Sequence, residues 1–367
     1  MSMIRIFPAL VCLALPAQAA LGIFEDHADI GTVLHAGSVA FDASKRAYTV
    51  SGSGENMWFA TDAFQFAWKK VSGDVTLTAD VAFLGEGKEG HRKAVLMIRQ
   101  SLDPDSAYAD VARHGDGLTS LQARDAAGVN TTEIQSAIKA PARLRIAKRG
   151  DYFYVWVAAA GQEFQFSGGS MRIPLREPFY VGIGVCSHNK DVVEQAVFSN
   201  VELTTGAPHS TPKLYSTLEV VPGSGDRRVV YVTQGRLSYP DWSSDDTIVF
   251  KSESGMKKIA AAGGQPEDLP QYGKAFSGPV ATENNLPSDG RLNFSPQFAP
   301  NGQNIVFLST TGDRASIAED KDISLRVLST TDRKVRVFAN IVGGKGTAPS
   351  WSPDSRRIAF ISYQWIQ

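Results

Sequence analysis

One short motif recurs three times in the C-terminal part of the chain, and it restricts the possible folds more than any other feature. Each copy contains an aromatic residue, a polar turn and an alternating strand ending in Ser, and the copies span 240–252, 296–309 and 349–362. The aromatic residues are Trp242, Phe298 and Trp351, separated by 56 and 53 residues. A period of this length with two strands per motif is typical of propeller blades.

The motif predicts structural roles for its residues. We expect the three aromatic residues to pack between neighbouring blades, and Asp245 and Asp354 to shape the turns. The other half of a blade recurs at 218–231 and 323–338, so residues 214–367 contain about three blades. Propellers close with typically four to eight blades. A three-blade array leaves an exposed edge, which stays open, mediates self-association or packs on the N-terminal half.

The preceding part of the chain, 20–204, predicts a second all-β domain. Short β-rich runs separated by Gly, Asp and Asn turns follow one another with almost no helical spacing; the clearest are 74–83, 93–99, 142–148 and 152–157. Many short strands in this arrangement predict a sandwich or jelly roll. Two prolines among small polar residues then interrupt the pattern, which predicts a linker over 205–213.

The first nineteen residues have the pattern of a secretory signal. Arg5 precedes an apolar run over 6–15, and Ala17-Gln18-Ala19 has the small-x-small form that signal peptidase recognises. The run is too short for a membrane span, which needs roughly 20 residues. We therefore expect cleavage after Ala19, export to the periplasm or beyond, and no membrane insertion.

Charge and cysteine content exclude several classes of partner. The formal net charge is −1, so no electrostatic nucleic-acid or membrane partner is predicted. Cys12 lies in the signal, which leaves Cys186 in the apolar run 181–186. A buried inert thiol is one interpretation of Cys186; a catalytic thiol is the other and would require an activating base.

A search for catalytic motifs identifies none. The chain lacks a Gly-x-Ser-x-Gly elbow, a His-Glu-x-x-His metal motif and the alternating carboxylates of a sandwich glycosidase. No catalytic residue is predicted. A hydrolase with an unfamiliar site remains the alternative.

The best candidate for a binding site is a predicted hairpin of 93–101 and 107–114. Strand alternation places Arg99 on the same face as Tyr108, Asp110 and His114, and Arg99 is expected to lie opposite Asp110. Asp116, in the turn that follows, is also a candidate ligand-binding residue. Sugar sites combine an aromatic face with planar polar groups, and this set contains both. A cross-strand ion pair with a supporting aromatic residue is the structural alternative.

Two further groups have a functional and a structural interpretation. Trp58 and Trp68 form either a sugar-stacking platform or part of a sandwich core. The acidic residues near the hairpin either hold calcium or form turns; they are Asp103, Asp105, Asp110 and Asp116. Because turn chemistry accounts for most of them, no cofactor is predicted.

The motif residues resemble the propeller repeats of TolB-like proteins. The pattern is most complete at Trp351 to Ser362, whereas Ser244 and Ala299 depart from it in the earlier copies. The N-terminal half resembles concanavalin A-like (LamG or jelly-roll) domains over 58–68, 73–74, 97–110 and 114–122. These resemblances imply a concanavalin-like sandwich followed by a short or incomplete TolB-type propeller.

The absence of a recognised catalytic motif, together with the candidate binding face, favours recognition over catalysis. We expect an exported binding protein whose sandwich binds a glycan or envelope polymer and whose propeller contacts a protein partner. The alternative is a periplasmic hydrolase acting on a polysaccharide or peptide.

Overall fold

The computed structural model describes residues 21–208, 210–223, 225–243, 246–270, 281–312, 322–341 and 347–367. Within these ranges the regular structure is all-β, apart from a three-residue 3-10 turn at 283–285. No helix in this part of the chain has the length and apolarity needed to cross a membrane. The predicted signal at 1–19 and Asp245 lie outside the described residues.

The N-terminal half folds into a two-sheet sandwich, as the resemblance implies. Its strands are β1 (Asp26–Ile30), β2 (Ser38–Asp42), β3 (Ala47–Gly52), β4 (Met57–Trp58), β5 (Thr61–Asp62), β6 (Phe64–Val71), β7 (Val75–Leu84), β8 (Lys93–Arg99), β9 (Tyr108–His114), β10 (Thr119–Arg124), β11 (Thr132–Gln135), β12 (Arg143–Arg149), β13 (Tyr152–Ala158), β14 (Gln165–Phe166), β15 (Met171–Arg172), β16 (Phe179–Cys186) and β17 (Glu194–Thr205).

One sheet of the sandwich has the order β1-β6-β16-β8-β9-β10-β11, and the other has the order β14-β13-β12-β7-β17-β3-β2. The core lies between them and takes every second residue of each strand, such as Leu96 and Ile98 of β8. The opposite face of the first sheet carries the alternate residues, and the short hairpin β4–β5 pairs only within itself.

Glycine makes room for aromatic rings on this opposite face. A Cβ atom at Gly184 would lie 2.8 Å from a ring carbon of Phe64, and one at Gly182 would lie 2.9 Å from a ring carbon of Phe66. The two phenylalanines join a buried cluster with Trp68. Larger residues on β16 would therefore displace the floor of this face.

The described residues of the C-terminal half form three four-stranded blades. Their strands are β18 (Lys213–Pro222), β19 (Arg227–Gln234), β20 (Ser238–Trp242), β21 (Thr247–Ser252), β22 (Gly255–Ala260), β23 (Glu267–Asp268), β24 (Leu292–Phe298), β25 (Asn304–Thr310), β26 (Ile323–Ser329), β27 (Val335–Ile341), β28 (Ser350–Trp351) and β29 (Arg357–Ile366). Blade 2 comprises β20–β23 and blade 3 comprises β24–β27.

Blade 1 combines strands from both ends of the C-terminal half. Its order is β28-β29-β18-β19, and β18 pairs with β29 over ten residues, from Lys213↔Ile366 to Pro222↔Arg357. Apolar clusters pack blade 1 against blade 3 on one face and against blade 2 on the other. The first and last strands of the C-terminal half, β18 and β29, thus pair within one blade. This pairing forms even though the described residues make up only three blades.

The motif tryptophans lie at these two blade interfaces. Trp242 of blade 2 donates its indole N–H to the Ser350 carbonyl of blade 1 (3.0 Å). Trp351 of blade 1 donates in the same way to the Gln297 carbonyl of blade 3 (3.2 Å). Phe298 has no N–H to continue the series and instead packs near Leu286. Asp354 accepts from the Ser352 hydroxyl (2.5 Å) and the Arg356 amide (3.0 Å), which closes the β28–β29 turn.

The sandwich and blade 1 share one continuous sheet. Strand β11 pairs in parallel with β19 through Ile134↔Arg227 and Gln135↔Arg228. Arg227 also forms a buried ion pair with Glu219 (2.7 Å) and donates to the Asn340 carbonyl of blade 3 (3.0 Å). The outer strand of blade 1 is therefore joined to the sandwich at these two residue pairs.

Candidate functional site

An open groove of about 1000 Å³ lies on the face of the first sandwich sheet that points away from the core. Its floor is formed by the ends of β8 to β11, and its walls are the loop after β1, the β4–β5 hairpin and the loops around residues 91 and 188. The side chains that line the groove include Asn56, Trp58, Phe59, Asp62, His91, Lys93, His114, Gln122, Glu133, Gln135 and His188.

Lys93 organises the centre of the floor. Its Nζ donates to Asn56 Oδ1 (3.0 Å), the Met57 carbonyl (2.9 Å) and Gln122 Oε1 (3.2 Å). The ammonium group lies 5.3 Å from the centre of the Trp58 ring. Because Lys93 is only 3% exposed, burial lowers its pKa. All three N–H groups are used, so Lys93 fixes the hairpin and the amides of the floor in place.

A row of planar polar groups continues from Lys93 towards blade 1. Gln122 donates through Nε2 to Glu133 Oε2 (3.4 Å), and Gln135 donates through Nε2 to Glu133 Oε1 (2.6 Å). These bonds orient both amides, and Gln135 is half-buried. The row offers planar acceptors and donors at fixed positions, which is the arrangement that recognises hydroxyl groups.

Hydrogen bonds define the proton positions of two groove histidines. His114 Nδ1 lies 3.1 Å from the Leu118 carbonyl, which only accepts, so Nδ1 carries the proton and Nε2 is an acceptor. Burial, together with the charge of Lys93, lowers the pKa of His114 to about 3. Asn56 Nδ2 lies 3.2 Å from His188 Nε2 and donates to it, because Asn56 Oδ1 already accepts from Lys93. Burial also lowers the pKa of His188.

A buried ion-pair group fixes the β4–β5 hairpin over the sheet. Asp62 contacts Arg124 at 2.8 Å and Arg99 at 3.4 Å, and all three side chains are fully buried. Arg124 also donates to the Phe59 carbonyl (3.0 Å) and the Ser106 carbonyl (3.1 Å). The hairpin that walls the groove is thus fixed to the floor by charge-assisted hydrogen bonds.

Phe59, at the tip of this hairpin, presents an aromatic ring to solvent beside the groove. Its side chain is 66% exposed, and its φ of 49° is in the left-handed region that bulky residues rarely adopt. Its carbonyl accepts from Arg124 and from the Thr131 hydroxyl (3.2 Å), which maintains this conformation. Tyr239 and Ser295 also have positive φ, but both lie at bulges in the first strands of blades 2 and 3.

The residues singled out from the sequence fall at three depths. His114 lines the groove, whereas Arg99, Tyr108 and Asp110 lie beneath it with 0% exposure. Asp116 is exposed in the β9–β10 turn, where its carboxylate accepts from the Leu118 amide (2.9 Å). The four strand residues do share one face, as the alternation predicts.

The expected pairing of Arg99 with Asp110 does not form. Asp110 lies opposite Met97 and Arg99 lies opposite Tyr108, because the β8–β9 register is displaced by two residues from the expected one. Arg99 pairs with Asp62 instead. Both carboxyl oxygens of Asp110 lack a hydrogen-bond partner, and burial raises the pKa of Asp110 well above its usual range, which favours the protonated form.

The other sequence candidates separate in the same way. Trp58 lines the groove, but Trp68 packs with Phe66 at 5.8 Å between ring centres. Cys186 is buried and free, and burial raises its pKa to about 11. Among the described residues, no group of three or more His, Cys, Asp or Glu residues could hold a metal ion.

Most of the groove was not identified from the sequence. The residues concerned are Lys93, Gln122, Glu133 and Gln135 of the floor and His91 and His188 of the walls. One signal could have identified part of it: Gln122 alternates with buried Leu121 and Ala123, and Glu133 and Gln135 flank buried Ile134. Two successive strands with polar residues on one face indicate a polar floor once they are known to be neighbours.

Comparison with known protein families finds no family model that matches the chain. A stretch of 70 residues is 30% identical to an uncharacterized protein of Agrobacterium fabrum (strain C58), which corresponds to 18% of this chain and 24% of the relative. The chain thus spans about a quarter of the length of the curated relative that it matches.

Solved structures that are similar to the chain at low identity include an alginate lyase and a putative TolB. A functionally unknown protein from Saccharomyces cerevisiae is 16% identical over 47% of this chain and 93% of its own, with a TM-score of 0.38. The family 7 alginate lyase A1-II′ is 10% identical over 46% and 83%, with a TM-score of 0.32. A putative TolB from Agrobacterium tumefaciens is 13% identical over 76% and 100%, with a TM-score of 0.19.

Proposed function

We propose that this protein binds a carbohydrate polymer in the groove of its sandwich. The observation that carries the proposal is Phe59: an exposed aromatic ring is maintained in a strained backbone conformation at the rim of an open polar groove. Such conformations cost free energy and persist where the surrounding structure enforces them, often at binding sites. Here the enforcing groups are Arg124 and Thr131, which bond the Phe59 carbonyl.

The chemistry of the floor supports a hydroxyl-rich ligand. Aromatic rings at Phe59 and Trp58 offer apolar faces for sugar C–H groups. The floor below offers the amide of Gln135 and the Nε2 acceptor of His114, both oriented by hydrogen bonds. A groove open to solvent admits a segment of a longer chain, which favours a polymer over a small enclosed metabolite.

The remaining elements complete the proposed role. The blades bind a protein partner, since each presents loops and an outer edge on a rigid support. The pattern of residues 1–19 directs the chain across the inner membrane, so the carbohydrate and the partner belong to the cell envelope or its surroundings.

The test is a thermal-shift screen of the full mature chain against plant, algal and bacterial envelope glycans. A ligand present at 100 times its Kd stabilises the folded state by about 2.7 kcal/mol. For a domain of this size, each kcal/mol corresponds to roughly 2–4 °C, so a true ligand raises Tm by several degrees. Absence of a shift with every glycan class would contradict the proposal.

Two exposed aromatic residues provide a matched pair of variants for this screen. Phe59→Ala removes the ring at the groove and should abolish most of the shift. Tyr239→Ala is the control, because Tyr239 is 69% exposed and has a φ of 54° but lies on blade 2. Equal losses in both variants would show that binding does not use the groove.

Cleavage of the bound polymer is a second candidate function. Lys93 and His114 lie directly opposite each other on β8 and β9, and burial lowers the pKa of both. Titratable groups that face a groove are candidates for acid–base chemistry, although a pKa of about 3 makes His114 a weak base at neutral pH. His114, neutral with a free Nε2, is the candidate proton acceptor.

Assay of new chain ends separates the two functions. Incubation of each binding glycan with the protein, followed by measurement of reducing ends, should show product if His114 acts as a base. His114→Gln should then stop product formation, while a thermal shift that is reduced by loss of the Nε2 acceptor remains. No product with any bound glycan would leave the protein as a binding module.

A further inference from the structure

A second cleft, of about 640 Å³, lies between blades 1 and 3 at the end that carries their turns. Blade 3 contributes Arg336 and Phe338 of β27, and blade 1 contributes the 354–357 turn between β28 and β29. The Asn301 amide donates to Ser355 Oγ (3.1 Å), which joins the turns of the two blades beside the cleft. The walls of this cleft are therefore held by a direct inter-blade contact.

The cleft contains arginines that have no carboxylate partner within the described residues. Arg357 is paired with Asp246 (2.6 Å) and lies 4.8 Å from the Trp242 ring centre. Asp354 is engaged by its own turn and by Arg357 (3.6 Å). The exposed guanidinium groups of Arg336 and Arg356 have no ion pair or side-chain hydrogen bond within the part of the chain that the structure describes. Two unpaired arginines thus face one cleft from opposite blades.

An apolar floor lies between these arginines. Val327 is 1% exposed and Trp351 is 5% exposed, and both belong to the cluster that packs blade 1 on blade 3. Phe338 is half-buried at the side, 5.6 Å from the Arg336 guanidinium. Among the described strands β27 is the edge strand of blade 3, and the cleft lies beside it. An extended chain fits such a site better than a compact ion does.

We infer that this cleft binds an acidic segment of a protein partner, with carboxylates on Arg336 and Arg356 and an apolar side chain over Val327 and Trp351. The inference deepens the proposed protein-binding role of the blades and rests on it. Guanidinium groups bind carboxylates through paired N–H donors, and the excess charge attracts an acidic rather than a basic segment. The groove of the sandwich is not involved.

The test measures binding of a short fluorescein-labelled peptide, capped at both ends, in which glutamate and leucine are spaced by serine. Fluorescence anisotropy with the full mature chain should show saturable binding that weakens with added salt. Arg336→Gln and Arg356→Gln should each weaken binding about fivefold, and the double variant more than tenfold. The matched control is Arg291→Gln, an exposed arginine that directly precedes β24 of blade 3 and lies outside the cleft.

Three outcomes would overturn the inference. The peptide does not bind; it binds equally well to the double variant and to Arg291→Gln; or a peptide with glutamine in place of glutamate binds as tightly. Displacement by inorganic phosphate at concentrations as low as those of unlabelled peptide would also overturn it, since the site would then bind small anions. Because both arginines are exposed, Tm of the double variant should equal that of the parent.

The glycan screen distinguishes this inference from the proposed function. A glycan shift that persists in the double arginine variant, together with lost peptide binding, supports two separate sites. A thermal shift with glycan but no binding of the peptide supports the groove proposal and refutes the inference about the cleft. If a protein partner binds the double variant as tightly as the parent, the proposed protein-binding role of the blades stands. The inference that the cleft is the binding site is then refuted.

Discussion

Substitution of Asp62 by Asn should be among the most damaging single changes in the sandwich. The carboxylate holds two arginines at once, with Oδ1 at 2.8 Å from Arg124 Nη2 and Oδ2 at 3.4 Å from Arg99 Nη2. All three side chains have 0% exposure, so no solvent screens the arginines left behind. Asparagine has the same shape but supplies no charge and points an NH₂ group at one guanidinium.

The expected magnitude follows from this burial. Removing one partner of a buried ion pair costs about 3–5 kcal/mol, because an uncompensated charge remains in the protein interior. At roughly 2–4 °C per kcal/mol for a domain of this size, Tm of the sandwich transition should fall by about 6–20 °C. The hairpin carrying Phe59 should loosen as well, so any glycan affinity should fall along with Tm.

Urea unfolding of the parent, Asp62→Asn and Asp80→Asn would measure the effect. Asp80 pairs with Arg143 at 2.9 Å, but both side chains are about one-third exposed, at 31% and 32%. Such a pair is worth at most about 1 kcal/mol. A loss in Asp62→Asn no larger than in Asp80→Asn would mean that Asp62 carries no charge in the folded chain, and the ion-pair reasoning would be wrong.

Further predictions concern His114, Trp351 and Cys186. Because burial lowers the pKa of His114 to about 3, the His114 imidazole binds a proton more readily in the unfolded chain than in the folded one. The free energy of unfolding should therefore fall as pH drops from about 6.5 towards 3. In urea titrations at several pH values, His114→Gln should flatten this slope. Trp351→Phe removes the indole hydrogen bond to the Gln297 carbonyl and should lower the free energy of unfolding, measured in urea, by about 1–3 kcal/mol. Trp365→Phe, at a position 47% exposed, should change that free energy by no more than about 0.5 kcal/mol. Equal losses in the two variants would refute the role of the hydrogen bond. Cys186, with its pKa raised to about 11 by burial, should not react with a neutral-pH thiol reagent until the chain is unfolded, and rapid labelling of the native protein would contradict its placement.

Local patterns in the sequence were sufficient to predict the fold class and much of the strand content. The apolar run at 95–98 predicts a central strand. Because side chains in a strand alternate with period two, the face that Arg99 shares with Tyr108, Asp110 and His114 is also predictable. The repeated motif predicts blades for a similar reason: turn residues and aromatic residues at a fixed spacing specify short segments independently of the rest of the chain.

Local patterns cannot determine the pairing register between two strands. The face of Arg99 was predictable, but its partner was not, since a shift of two residues between β8 and β9 leaves every side chain on the same face. Nothing near Arg99 in the sequence identifies Asp62 as its partner, which lies 37 residues away along the chain. The amide and histidine floor of the groove depends on the same kind of long-range pairing.

The sequence by itself determined that this protein is all-β, with a strand-rich N-terminal half and blade repeats after it, because these properties follow from the periodicity of neighbouring residues. Only the tertiary structure decided how the pieces join: β18 meets β29 across the whole repeat region, and β11 extends the outer edge of blade 1 at β19. Backbone hydrogen bonds are nearly identical for any pair of strands, so the choice between partners rests on the packing of the entire domain. The groove and the arginine cleft both arise from those choices.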